Sequence, residues 1–239
     1  MIHESFWLPV TGALVGWLMG TALNRLVRGF LVEHSGIDAF PSAGGASEEN
    51  ILNFRNLLLF GALPAFTAFL TAWRTWSPEL LDDLILTGSL FALAVIDWKS
   101  QLIDSRLVVA ALVLKGAWLV VFKPDLLPES LFGLLVGAGL LYLIGFLYEA
   151  LRKRQGLGEG DPALLGLVGF WVGWTGLGPV LLIAAVSGIL IGGFMLWRRK
   201  LPLFHSPVPF GPFICLGGLL VHLLQQSGRM SRSLELLAF

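Results

Sequence analysis

The chain has 239 residues, 56% apolar and 13% charged, with a mean hydropathy of +0.79, a balance that excludes an ordinary water-soluble domain. Sixteen Lys and Arg residues cancel sixteen Asp and Glu residues, so there is no broad basic field to grip nucleic acid through its phosphates. The single cysteine, Cys215, lies in an apolar run, which excludes an intrachain disulfide and a four-thiolate zinc site.

A bilayer core takes about 20 mostly apolar residues per helix. Runs of that kind predict an all-α, polytopic integral membrane protein with about eight transmembrane helices. They fall near Phe6–Leu23, Leu57–Trp73, Leu80–Ile96, Leu107–Phe122, Ser130–Tyr148, Ala163–Trp174, Gly178–Trp197 and Val208–Leu224. Asp82 and Asp83 shorten the third, and the sixth is brief before Thr175-Gly-Leu-Gly, so seven spans is the alternative count. The first run continues into Asn24-Arg25 without a small-residue cleavage site and reads as a retained helix. Polar Val32–Arg55 reads as a cytoplasmic loop within one membrane-embedded domain covering 1–239.

Lys and Arg accumulate in short loops on the cytoplasmic side of a membrane. Arg25, Arg28, Arg55, Lys99, Arg106, Arg152, Lys153, Arg154, Arg198, Arg199 and Lys200 follow the odd-numbered runs, whereas the other side holds Arg74, Lys123, Arg229 and Arg232. The odd-numbered loops are therefore expected in the cytoplasm. Lys115 stays inside the fourth run.

Two aspartates then share the cytoplasmic face. Asp97 closes the apolar run Leu90-Phe-Ala-Leu-Ala-Val-Ile-Asp, and Asp161 follows Gly156-Leu-Gly-Glu-Gly and opens the sixth run. Two neighbouring carboxylates share one proton, so the neutral member can polarise a carbonyl while the charged one activates water. That chemistry hydrolyses a peptide without metal. Asp161 sits where a helix N-cap is expected, and Gly156, Gly158 and Gly160 offer positive φ or close backbone approach beside it. Read from physics alone, an aspartate at a helix end is more commonly a plain cap or a solvated loop residue than a catalytic acid. The glycine run lacks the Gly-Lys-Ser/Thr ending of a phosphate cradle. The four histidines show no metal-ligand spacing and are assigned no chemistry.

Gly158-Glu-Gly-Asp161, followed by Leu164-Leu-Gly-Leu-Val-Gly-Phe-Trp-Val-Gly-Trp, resembles the Gly-x-Gly-Asp motif of type IV prepilin peptidases. Ile96-Asp97 with Leu102-Ile-Asp104-Ser-Arg-Leu resembles the family's first aspartate motif. Gly16-Trp-Leu-Met-Gly-Thr-Ala-Leu-Asn24-Arg25 is similar to its first span and Pro209-Phe-Gly-Pro-Phe213 to its last. The resemblance implies a multi-pass aspartic endopeptidase of the bacterial inner membrane, with Asp97 and Asp161 as the catalytic pair facing the cytoplasm. It would remove the basic leader of type IV prepilins or type II secretion pseudopilins. Proteolysis would use no cofactor. Many members also methylate the new N-terminus with S-adenosylmethionine, an activity for which this chain offers no residue assignment.

The chain departs from the family at several points. Val32–Arg55 lacks the paired Cys-x-x-Cys sequences that hold zinc in many members, Ala163 replaces the usual lysine, and Ile103 replaces a usual proline. Asp104 competes with Asp97 for the catalytic role, but Asp97 matches the family's essential position. Asp104, Glu159 and Glu149 are then candidates for meeting the positive charges of a leader, with Gly158 and Gly160 lining the loop. Two other readings stay open: an ion- or proton-coupled transporter, and an inactive scaffold of a pilus or secretion assembly.

Overall fold

The computed structural model describes residues 2–33, 62–63, 65–67, 70, 77–153, 158–198 and 209–237, and no strand occurs among them. Among the described residues seven α-helices are delimited: α1 (Ile2–Glu33), α2 (Pro78–Ser100), α3 (Ser105–Phe122), α4 (Leu127–Arg152), α5 (Asp161–Ser187), α6 (Gly193–Arg198) and α7 (Gly211–Leu237). Val32 and Glu33 end α1, and the rest of the loop expected at 32–55 lies outside the described residues, as does most of the second expected span. By length and composition, four described segments can cross a membrane: Pro9–Phe30, Ser105–Phe122, Pro124–Arg152 and Asp161–Met195. The chain forms two compact units, Met1–Phe122 and Lys123–Phe239.

In the first unit α2 is buried nearly all round, as its almost continuous apolar sequence requires. Gly88 lets α1 approach, since a side-chain carbon there would lie 2.5 Å from Met19 Cε and 3.6 Å from Leu23 Cδ1. Further along both helices, Val27 and Phe30 share a buried cluster with Ala92, Val95 and Ile96. The two helices therefore run parallel. Helix α3 returns antiparallel after Gln101–Asp104: Trp118 Nε1 donates to the Pro78 carbonyl at 2.9 Å, and Lys115 Nζ lies 2.6 Å from Asp82 Oδ2.

The second unit is packed through glycine. A side-chain carbon at Gly133 of α4 would overlap the Gly169 carbonyl oxygen of α5, and one at Gly137 would lie 2.5 Å from the Leu165 oxygen. Lipid tails are as apolar as leucine, so helices in a bilayer are held by close van der Waals approach, which small residues four apart permit. These contacts set α4 and α5 antiparallel.

Helix α5 is not straight. Gly173 has φ 70 and ψ 173, a conformation essentially reserved for glycine. A side-chain carbon at Gly169 would lie 3.3 Å from Leu177 Cδ2, whereas a straight helix sets residues eight apart about 12 Å from each other along its axis. Val168 and Val180 likewise both meet the adjacent pair Gly218 and Gly217 of α7. The chain thus folds back at Gly173, one residue before the end of the apolar run expected at Ala163–Trp174 and ahead of the run expected at Gly178–Trp197. Gln225 of α7 donates its amide to the Val172 carbonyl at 2.9 Å, satisfying an acceptor that the reversal strips of its helical partner.

Candidate active site

Asp97 occupies the last turn of α2 and is 4% exposed. Its carbonyl accepts the N–H of Gln101 at 2.8 Å, and Gln101 takes φ 52 to end the helix. Asp83, Thr87, Leu90 and Asp97 recur at offsets of four, seven and fourteen, so they share one face of α2. Asp83, Thr87 and Leu90 are each 1% exposed, giving Asp97 a buried stripe below it that is partly polar.

Asp104, the competing carboxylate, has a structural task in the same unit. Its Oδ1 accepts the Arg106 N–H at 2.9 Å while its carbonyl accepts the Val108 N–H at 3.1 Å, which makes it the N-cap of α3.

Asp161 lies in the second unit, 5% exposed, as the first residue of α5. The N-cap is Gly160, with φ −87 and ψ −20 and no side-chain cap, so the expectation that Asp161 is the N-cap is corrected. Its carboxyl instead hydrogen-bonds the Gly158 backbone N–H, and its own N–H donates to the Gly158 carbonyl at 3.1 Å. The expected positive φ beside the aspartate is also corrected: among the described glycines only Gly173 has one. What position 158 needs is space, because a side-chain carbon there would lie 3.0 Å from Asp161 Oδ2 and 3.4 Å from Cγ. Gly156 lies outside the described residues. Glu159 is exposed, and so is Ala163.

The antiparallel register sets the level of Asp161. With Gly133 against Gly169 and Gly137 against Leu165 and Gly166, Asp161 falls beside the buried Leu141, and α4 runs on to Arg152 beyond it. That overhang is about 16 Å at the rise of an α-helix. From Leu164 to Gly173 every residue of α5 is buried, so the leg behind Asp161 is enclosed on all sides.

Lys115 and Asp82 form a pair that sequence reading did not join. Their side chains are 6% and 7% exposed, and Lys115 Nζ also lies 4.7 Å from the Trp118 ring centre. The signal was available: a lysine inside an apolar span must find a carboxylate. No group of three His, Cys, Asp or Glu suited to a metal occurs among the described residues.

These features define a polytopic helical protein in which a Gly-x-Gly-Asp turn feeds a buried helix and a second buried aspartate closes another. Residues 84–193, which contain both aspartates, match the type IV leader peptidase family. The chain is 36% identical over 162 residues to a prepilin leader peptidase/N-methyltransferase of Pseudomonas putida, covering 64% of this chain and 54% of the relative. Proteins of the same name from Burkholderia pseudomallei strain 1026b (41% over 92 residues; 38% and 29% covered) and Dickeya chrysanthemi (33% over 156 residues; 63% and 54%) are also similar. The chain thus spans about half the length of the Pseudomonas and Dickeya relatives, and less of the Burkholderia one. No solved structure matches.

Proposed function

We propose that this protein is a membrane aspartic endopeptidase that removes the basic leader of type IV prepilins or type II secretion pseudopilins, with Asp97 and Asp161 sharing one proton. The observation that carries this reading is that both aspartates are buried, at 4% and 5% exposure, each at a helix end inside the family-matched segment. In the reaction the neutral carboxyl donates a hydrogen bond to the scissile carbonyl oxygen. The ionised one takes a proton from water as the water oxygen attacks the carbonyl carbon. Collapse of the tetrahedral intermediate breaks the C–N bond, and the leaving nitrogen takes up a proton from the dyad. Neither metal nor cofactor is required. The methyl transfer in the relatives' names would draw on S-adenosylmethionine, and no residue here is assigned to it.

About eight spans with the site facing the cytoplasm is the topology that agrees with the charges. In the first unit Arg25 and Arg28 of α1 lie at the same end as Asp97 and Lys99 of α2, because those helices are parallel. In the second, Arg152 and Lys153 close α4 at the end where α5 begins. Each acid thus shares an end with basic residues, as a cytoplasmic face would have it. The lipid bilayer and a precursor peptide are the partners.

Co-expression with a prepilin, read by gel shift and by the mass of the new N-terminus, tests the reading. Asp97→Asn and Asp161→Asn should each abolish cleavage at unchanged protein level; cleavage that survives either change overturns the dyad. One observation favours transport instead, the Lys115–Asp82 pair buried between α3 and α2. If the wild-type protein leaves every prepilin intact, that reading takes precedence.

A further inference from the structure

Helices α5 and α7 are locked in one register. A side-chain carbon at Gly218 would lie 2.8 Å from Val168 Cγ1, and Gln225 Nε2 donates to the Val172 carbonyl at 2.9 Å. Phe213 Cδ2 lies 3.4 Å from where a side-chain carbon of Gly188 would be, so α7 starts beside the far end of the second leg, near the level at which the first leg begins. Residues seven apart share a helix face. Seven positions before Val168 on α5 stands Asp161, and seven before Gly218 on α7 stands Gly211. The surfaces that meet at Val168 and Gly218 therefore bring Asp161 and Gly211 to one level two turns away, about 10.5 Å along the axis. Both residues are buried, and Pro209 and Phe210 next to Gly211 are half-buried.

The turn that enters α7 is rigid. The Phe210 carbonyl accepts the N–H of Phe213 at 3.1 Å and of Ile214 at 3.2 Å, while Pro209 and Pro212 fix φ on either side. A peptide cut by an aspartic dyad must lie extended with its scissile carbonyl against the carboxyls, and something opposite the acid must hold it there.

We propose that the Phe210-Gly211 turn is that opposing wall. Gly211, lacking a side chain, leaves the space over Asp161 through which the substrate backbone passes, and the Phe210 ring bears on an apolar side chain flanking the cut bond. Both residues belong to Pro209–Phe213, which resembles the family's last span and lies beyond the matched segment 84–193. The inference rests on the peptidase reading for its substrate, but not for its geometry.

Two measurements separate these. In a Cys215→Ser background, the pair Asp161→Cys and Gly211→Cys should form a disulfide in membranes under mild oxidant, as should the register control Val168→Cys with Gly218→Cys. A control that cross-links beside a site pair that does not overturns the proposal whatever the enzyme does. In processing assays, Phe210→Ala should raise KM about tenfold at near-constant kcat, Phe210→Leu should restore it, and Gly211→Val should lower kcat/KM at least a hundredfold at wild-type protein level. Wild-type KM and kcat in both Phe210→Ala and Gly211→Val would overturn the wall. A wild-type protein that cleaves no prepilin, with the site pair cross-linked, would overturn the peptidase reading and leave the facing of Asp161 and Gly211 standing.

Discussion

Gly158 and Asp161 are matched in space: the carboxyl of the one fills the volume that a side chain on the other would need, with 3.0 Å between Oδ2 and the missing carbon. A methyl group there pushes the carboxyl aside by a few tenths of an ångström or more. Small misplacements of a reacting group cost rate steeply, so Gly158→Ala should lower kcat/KM roughly 10- to 100-fold at normal protein level. Full activity in that variant would show that Asp161 tolerates movement.

Asp104→Ala should behave differently. Loss of its cap on the Arg106 N–H costs about 1 kcal/mol of stability, while leader removal should persist. Abolished cleavage in a well-folded Asp104→Ala protein would move the catalytic role from Asp97 to Asp104.

Lys115→Met should be strongly destabilising, by about 3 kcal/mol or more, because it removes the cation that lies 2.6 Å from the buried Asp82 carboxylate. Adding Asp82→Leu should recover most of the loss. A thermal scan in detergent reads both, and a double variant no more stable than the single one would mean that the pair is not coupled.

Gly173→Ala meets a backbone at φ 70 that no side chain tolerates well, with Glu129 Oε1 3.1 Å from the added carbon. The expected cost is about 1–3 kcal/mol. Gly178→Ala, with nothing within 4 Å of the added carbon, should cost far less. Equal unfolding midpoints for the two variants would count against the reversal.

The long helices were legible because an apolar run of span length leaves few alternatives, and α3 and α4 lie close to the runs Leu107–Phe122 and Ser130–Tyr148. Asp97 and Asp161 were legible through their motifs, not through their chemistry, since an acid at a helix end is commonly a cap. The reversal at Gly173 was not readable: Thr175-Gly-Leu-Gly signalled a boundary, but an apolar string with many glycines does not reveal which one takes positive φ. The Lys115–Asp82 bond joins residues 33 positions apart, and the register of α7 on α5 depends on which glycines face each other. Both are properties of packing, which local sequence does not encode.

The folded-back course of α5 also bears on how the chain is made. A leg that turns at Gly173 after about 18 Å is too short to anchor itself in lipid on leaving the ribosome. Its enclosed residues find partners on one flank in α4, which precedes it, and on the other in α7, synthesised later. The acid-bearing turn of the second unit is therefore a late product of biogenesis, completed only once α7 has emerged and docked.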